Sequence, residues 1–128
     1  GADHLSLYFD DPGRPTPQPL VDHPRGTVTL CDAAHWTRVG KPRPPQHQNR
    51  QTHNARFTYR EKVTSDWIVH IDVDEFILTP RPVAAILDET PADTIAMKLE
   101  PFEAMHDPLL PDDIYTSREF RGALRHDH

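Results

Sequence analysis

The sequence predicts an α/β fold with a mainly parallel central sheet. Two observations support this class. Strand-like and helix-like segments follow one another along the chain, which is the order that produces a parallel sheet covered by helices. One of these segments, "WIVHI" (67–71), is apolar on both faces, as expected for a central strand. In chain order, the predicted elements are strand 4–9, strand 26–31, helix 46–64, strand 67–71, helix 82–89 and strand 94–99.

The first two predicted strands lie in a proline-rich part of the chain. "HLSLYF" (4–9) alternates and is rich in leucine and aromatic residues, which favours a strand. "DDPGRPTPQP" (10–19) ends this strand, because proline removes backbone donors and Asp-Pro-Gly favours a turn. "GTVTLC" (26–31) is a second, shorter strand. Eight of the 14 prolines lie within the first 45 residues, so we expect this part to be rich in loops.

The longest predicted element is a helix from about 46 to 64, a stretch with no glycine or proline. Ala55, Tyr59 and Val63 recur at a spacing of four, so they share one face of such a helix, with polar residues opposite. The preceding Pro44-Pro45 suits a helix start, where a missing N–H costs nothing.

Three shorter elements complete the predicted fold. The strand 67–71 is short and rich in β-formers. The segment "TPRPVAAILDE" (79–89) offers Thr79 as a cap and Pro82 as an early helical residue, which predicts a helix over 82–89. "TIAMKL" (94–99) is the last predicted strand.

The charge of the chain argues against general nucleic-acid binding. The net charge is −6, whereas binding to the phosphate backbone requires basic patches. Residues 1–60 carry a net charge of +3 and residues 61–128 a net charge of −9. This asymmetry suits a ligand that carries phosphate and metal together. A solvated surface is the alternative explanation.

The single cysteine, Cys31, excludes an internal disulfide and fits a reducing compartment, so we expect a cytoplasmic protein. Its apolar surroundings favour a buried structural thiol. No segment approaches the length of about 20 apolar residues that a membrane span requires. Because the chain lacks an initiator methionine and a strand-like run begins at its fourth residue, we expect a fragment, incomplete at both ends.

Carboxylates follow two of the predicted strands. Asp10 and Asp11 come directly after the first strand, and Asp72 and Asp74 come after strand 67–71. In open α/β sheets, ligands bind beyond the carboxyl ends of the strands. If the two strands are parallel neighbours, both acidic pairs face one crevice.

The spacing of Asp72 and Asp74 predicts a metal site. In an extended segment these two side chains project to the same side. Two carboxylates at this spacing bind a hard cation such as Mg²⁺ or Mn²⁺ and leave positions for water and diphosphate oxygens. Glu75 faces the other way, and we expect it to bind backbone or a helix end. The alternative is a solvated acidic turn.

The segment "NARFTYREKVTSDWIVHIDVDEFI" (54–77) resembles the family-2-like glycosyltransferases, in which an Asn-Ala helix precedes a "DVDEF" form of the Asp-x-Asp motif. "GADHLSLYFDDP" (1–12) is similar to the second strand of that family. The resemblance extends over most of residues 1–105 and is loose between 12 and 45. It implies a Rossmann-like GT-A type sandwich that uses a nucleotide-sugar and a divalent cation, Mn²⁺ or Mg²⁺.

The resemblance also implies roles for individual residues. Asp74 corresponds to the direct metal ligand, and Asp72 to a residue that contacts ribose or the metal. Asp10 corresponds to the acidic residue near the nucleoside, with Asp11 as a possible substitute. The donor-binding set is Asp10, Asp11, Arg50, Asn54 and Asp72, with Asn54 near the donor and Arg50 approaching the diphosphate.

The chain departs from the family pattern in two places. The first strand and its nucleotide-contacting segment are absent, and "DDPGRP" (10–15) replaces the usual D-x-S-x-D loop. Glu103 and Glu119 are the candidates for the catalytic base, and ordinary surface glutamates are the alternative. We expect one partial domain, with the nucleotide-sugar-binding part at about 1–105 and the start of the acceptor side at 106–128.

The function that these residues predict is metal-dependent transfer of a sugar from a nucleotide-sugar donor to a glycan or small-molecule acceptor. Two alternatives stay open. The same carboxylates also suit a metal-dependent phosphohydrolase or nuclease. A truncated nucleotide-binding module without catalysis is the other alternative.

Overall fold

A short parallel sheet forms the first part of the structure. In the computed structural model, β1 (Leu5–Phe9) pairs in parallel with β2 (Gly26–Leu30), with Leu5 opposite Gly26 and Phe9 opposite Leu30. The connection between them contains a single turn of helix, α1 (Gln18–Val21). Both strands were predicted, and the structure confirms them. The residues that the structure describes are 2–61, 64–105, 108–111 and 119–122.

Helix α2 (Ala33–Val39) follows β2 directly and was not predicted from the sequence. Its N-cap is Asp32, whose carboxylate accepts the backbone N–H of His35 at 2.8 Å. Its C-cap is Gly40, which adopts a left-handed φ of 73° that favours glycine. With only seven residues, the helix is too short to show a hydrophobic period.

Helix α3 (His47–Glu61) confirms the long predicted helix, but the predicted buried face is wrong by one position. The buried residues are Asn54 and Thr58, whereas the side chain of Tyr59 is 68% exposed. The inner face is polar because its partners are polar: the hydroxyls of Thr58 and Tyr8 share a hydrogen bond of 2.6 Å. Val63, which was expected on the buried face, lies outside the described residues.

The core between this sheet and α2 is small and mixed in character. Cys31 and Trp36 are its buried hydrophobic residues, and His35 is fully buried between them and α3. The indole Nε1 of Trp36 donates to the carbonyl of Cys31 at 3.1 Å. The imidazole of His35 contacts the rings of Tyr8, Trp36 and Phe57 at centroid distances of 5.1–5.8 Å. Aromatic packing therefore holds the sheet against its helices.

The predicted strand 67–71 is wrong. The segment is not part of a sheet, and Ile68, Val69 and Ile71 are 41–53% exposed. The predicted strand 94–99 is also wrong, and Ile95 is fully exposed. A strand needs a hydrogen-bonded neighbour, which local β-propensity does not supply. Within the described residues, β1 and β2 pair only with each other.

The chain divides into two compact units, residues 1–71 and residues 72–128. The second unit contains α4 (Val83–Asp88), which confirms the predicted helix at 82–89. It also contains an antiparallel pair of short strands, β3 (Phe102–Ala104) and β4 (Phe120–Gly122), which the sequence did not predict.

The architecture is that of a small α/β protein with a two-stranded parallel sheet and a separate antiparallel pair. The parallel pairing that the sequence predicts is thus present over two strands. In the part of the chain that the structure describes, no helix is both long and apolar enough to cross a membrane.

Replacement of the buried indole tests this description of the core. We expect Trp36→Ala to lower the free energy of unfolding by about 3–5 kcal/mol, because it leaves a cavity beside His35 and removes the bond to the Cys31 carbonyl. The control is Tyr59→Ala, which changes an exposed aromatic residue and should shift stability by about 0.5 kcal/mol or less. Urea denaturation measures both. Equal losses for the two variants would contradict the observed burial.

Candidate functional site

An open cleft of about 1080 Å³ lies at the carboxyl ends of the two parallel strands. Asp10 and Asp11 reach it from the end of β1, and Cys31 and Asp32 reach it from the end of β2. Its other wall is formed by α2 and by the loop 40–43. The carboxyl edge of a parallel sheet is the usual place for a ligand in α/β proteins, because the strands and helix termini direct polar groups there.

Asp10 is held by two arginines. Arg50 Nε donates to both of its carboxylate oxygens at 2.9 and 2.8 Å, and Arg50 Nη2 lies 2.7 Å from Oδ2. Arg43 Nη2 lies 3.2 Å from Oδ1 and also donates to the Asp10 carbonyl at 3.2 Å. The carboxylate is 42% exposed, so it stays accessible while the guanidinium of Arg50 fixes its orientation.

Arg50 connects three parts of the structure. Its side chain is only 12% exposed, and Nη1 donates to the carbonyls of Pro44 and Pro45 at 3.0 and 2.6 Å. With Asp10, these contacts join α3, the proline-rich loop and the end of β1. The guanidinium that was expected to approach a diphosphate is therefore occupied by protein groups in this structure.

Asp11 closes a turn at the rim of the cleft. Its Oδ1 accepts the backbone N–H of Gly13 at 3.1 Å, and its Oδ2 lies 3.3 Å from Arg14 Nε. This arrangement is an Asx-turn, in which the aspartate side chain accepts a hydrogen bond from the backbone N–H two residues later. Asp11 thus lies beside the same cleft as Asp10, but its carboxylate organises the turn after β1.

Asn54 is buried and separated from the cleft by Cys31. Its amide Nδ2 donates to Cys31 Sγ at 3.5 Å, and its Oδ1 accepts Nε2–H of His35 at 2.8 Å. Within the described residues, the other imidazole nitrogen, Nδ1, has no hydrogen-bond partner. The asparagine that was expected near the donor thus orients the histidine and the thiol behind the cleft wall.

Burial perturbs two acidic groups around this network. Burial raises the pKa of the Cys31 thiol above its ordinary value of 9.0, and it raises the pKa of the Tyr8 hydroxyl above 10.0. The hydrogen bonds from Asn54 and Thr58 oppose these shifts without cancelling them. Cys31 is therefore a protonated structural thiol at neutral pH, as the sequence predicts.

The second acidic pair lies on a turn in the other unit. The backbone N–H of Asp72 donates to Glu75 Oε2 at 2.7 Å, and the N–H of Glu75 donates to the Asp72 carbonyl at 3.1 Å. The expectation of an extended segment is therefore wrong, because these bonds close residues 72–75 into a turn. The expectation that Glu75 binds backbone is confirmed. Asp72 and Asp74 are both exposed.

The donor types at this turn suit a hard divalent cation. Among the described residues, no group of three or more histidine, cysteine, aspartate or glutamate side chains converges on a common point. Asp72 and Asp74 nevertheless supply two exposed carboxylates, the kind of ligands that Mg²⁺ and Mn²⁺ combine with water and phosphate oxygens. A metal site at this turn would have Asp72 and Asp74 as its protein ligands.

The two candidate bases lie at the antiparallel pair of strands. Glu103 is opposite Arg121 in the register of β3 and β4, and the two side chains form an ion pair. Glu119 lies immediately before β4, and its carbonyl accepts the N–H of Met105 at 2.9 Å. Both glutamates are exposed. Of these two glutamates, Glu103 is the one whose carboxylate is paired with a cation, the guanidinium of Arg121.

Sequence reasoning missed three side chains of the cleft: Asp32, Lys41 and Arg43. The sequence does contain signals for the helix that positions these residues, but each signal covers only a few residues. Asp32 precedes "AAHW", which is typical of a helix N-cap, and Gly40 is typical of a helix end. The segment "GKPRPP" (40–45) was interpreted only as a break between elements, although it carries two cations.

Searches of protein-family models, of curated proteins and of solved structures give no match to this chain. The functional assignment therefore depends on the cleft, the acidic turn and their chemistry. Those features define a small α/β protein with a polar cleft at the carboxyl edge of its parallel strands.

The role of Arg50 is testable by substitution. We expect Arg50→Gln to lower the free energy of unfolding by about 2–3 kcal/mol, because Asp10 and the two proline carbonyls lose charge-assisted hydrogen bonds. Arg56→Gln, an exposed change on the same helix, is the control and should be close to neutral. Thermal and urea unfolding measure both variants. A neutral Arg50→Gln would show that these contacts do not hold the loop.

The raised pKa values of Cys31 and Tyr8 predict an alkaline loss of stability. The folded protein holds these protons more tightly than the unfolded chain, so the unfolded chain releases them first as pH rises. Their contribution is complete below about pH 9 and is lost as pH rises through the folded-state pKa values. We expect Cys31→Ala and Tyr8→Phe each to reduce the fall in urea midpoint between about pH 8 and pH 10.5. An unchanged fall in both variants would contradict this assignment.

Proposed function

We propose that the chain is the donor-binding part of a metal-dependent glycosyltransferase of the GT-A type, built on a Rossmann-like sandwich. It transfers a sugar from a nucleotide-sugar to a glycan or small-molecule acceptor. The single observation that carries this proposal is the cleft with charged side chains at the carboxyl edge of the parallel strands, with Asp10 oriented by Arg50. The resemblance of residues 54–77 to the family-2-like enzymes supports the same assignment.

The cleft suits the nucleoside end of the donor. Its volume of about 1080 Å³ is of the size that drug-sized and cofactor ligands occupy. Asp10 is bound by Arg50 and partly exposed, so a carboxylate oxygen is available to accept a hydrogen bond from a ribose hydroxyl or a base N–H. Arg50 acts through Asp10, because its own N–H groups are directed at protein acceptors.

Asp72 and Asp74 are the residues that would hold the divalent cation. When bound, such an ion supplies positive charge that stabilises the diphosphate leaving group. The contribution of the chain is the turn itself: Glu75 binds the Asp72 N–H and fixes the backbone that carries both carboxylates. In this assignment Asp74 is the direct ligand, and Asp72 contacts the metal or the ribose.

The acceptor hydroxyl requires a base that is free to take its proton. Glu103 is paired with Arg121, so its carboxylate is engaged by a cation and is not open to an acceptor hydroxyl. Within the described residues, Glu119 has no such ion pair. The assignment therefore favours Glu119 over Glu103 as the base.

Calorimetry with Mn²⁺ and a panel of UDP-, GDP- and dTDP-sugars tests the assignment. We expect Asp74→Asn to weaken metal-dependent donor binding by about tenfold or more, equivalent to about 1.4 kcal/mol. Asp93→Asn, an exposed aspartate of the same unit, is the control and should bind as the unaltered chain does. Metal-dependent donor binding by Asp74→Asn that equals the binding by the unaltered chain would contradict the assignment of Asp74 as a metal ligand.

Product analysis separates the proposal from its alternatives. Transfer of the sugar to an acceptor supports the transferase. Rapid hydrolysis of the nucleotide-sugar in the absence of any acceptor, unchanged when acceptors are added, indicates a phosphohydrolase. Donor binding with no turnover under any condition indicates a binding module.

A further inference from the structure

The loop that follows α2 carries two cations into the cleft. This basic loop, residues 40–45 with the sequence "GKPRPP", contributes Lys41 and Arg43 to the cleft wall. Neither residue belongs to the carboxylate set that the sequence identifies. Both line the same cleft as Asp10, at the carboxyl edge of the sheet, and so place positive charge within reach of a ligand bound there.

The basic loop is anchored at both ends. At its start, the N–H of Gly40 donates to the Thr37 carbonyl at 3.1 Å, and the N–H of Lys41 donates to the Trp36 carbonyl at 3.2 Å. At its end, Arg50 binds the carbonyls of Pro44 and Pro45. Its three prolines restrict φ further. A loop held in this way has little backbone entropy left to lose on binding.

The carboxylates that line the cleft already have partners. Asp10 is bound by Arg50, Asp11 by Arg14 and the Gly13 N–H, and Asp32 by the N–H of His35. Each of these contacts lies within the protein and does not involve Lys41. Two of the three carboxylates are thus paired with arginines outside the basic loop, and the third caps α2.

Lys41 and Arg43 are the cations that remain. No ion pair forms on Lys41 among the described residues. Arg43 is 46% exposed, and its contacts with Asp10 at 3.2 Å are longer than the contacts of 2.7–2.9 Å that Arg50 makes with the same carboxylate. Since Asp10 keeps its closer partner, Arg43 is able to turn to an incoming anion without leaving a carboxylate unpaired.

We propose that the basic loop is a diphosphate-binding subsite that acts without metal. Arg43 presents its planar guanidinium to two phosphate oxygens, and Lys41 adds a mobile point charge. The subsite deepens the proposed function, on which the nucleotide-sugar identity of the ligand rests. It is formed by residues of the first unit, which are distinct from the acidic turn at 72–75.

Titration of the whole chain with inorganic pyrophosphate in the presence of EDTA tests the subsite. We expect Lys41→Gln and Arg43→Gln each to weaken binding by about three- to tenfold, and the double variant by about tenfold or more. Binding should also weaken as salt rises, because both cations are solvent-accessible. The matched control is Arg38→Gln, an exposed arginine in the last turn of α2, which should leave pyrophosphate binding unchanged.

Two results would overturn the subsite: no pyrophosphate binding by the unaltered chain, or equal binding by the double variant with its fold intact by circular dichroism. The failures of the two proposals are distinguishable. Pyrophosphate binding that depends on Lys41 and Arg43, in a protein that transfers no sugar, supports the subsite and contradicts the transferase. Sugar transfer with unchanged donor KM in the double variant contradicts the subsite and supports the transferase.

Discussion

The side chain of Arg50 is the constraint on which the rest of the first unit depends. One guanidinium, 12% exposed, binds the Asp10 carboxylate at the end of β1 and the carbonyls of Pro44 and Pro45 ahead of α3. A largely buried cation of this kind is stabilising only when its donors are satisfied, so the three acceptors must stay where they are. The end of a strand, a proline-rich loop and a helix are thereby held in one arrangement, and the cleft takes its shape from them.

Behind this cleft wall the interior is unusually polar for a small protein. Asn54 is hydrogen-bonded to both Cys31 and His35, and Tyr8 is hydrogen-bonded to Thr58. Aromatic rings surround the histidine. Hydrogen bonds of this kind favour one arrangement of the buried groups, although Nδ1 of His35 has no partner among the described residues. We infer that α3 is held in register by matched donors and acceptors more than by apolar area. The consequence for function is a cleft wall that is rigid at Cys31.

Several features could be predicted from local sequence. The strands β1 and β2 follow from alternation and from the turn residues after Phe9, and α3 follows from a long stretch without glycine or proline. The carboxylates at the end of β1 were also placed correctly, because strand ends direct polar residues to one edge. The partners of Asp10 were not predictable, since Arg43 and Arg50 lie more than 30 residues away along the chain. The buried face of α3 was missed because hydrophobicity points to Tyr59, whereas hydrogen-bonding partners select Asn54 and Thr58.

The sequence by itself determined the α/β class, the positions of the first two strands and the position of Asp10 and Asp11 after β1. These depend on residue type and spacing, which act over a few neighbours. Only the tertiary structure decided that Arg50 serves protein acceptors, that Lys41 and Arg43 line the cleft, and that residues 72–75 close into a turn. It also decided that 67–71 lies outside a sheet, because a strand forms only where another chain segment offers its backbone groups. Those outcomes depend on which distant segments meet, and local pattern carries no information about that.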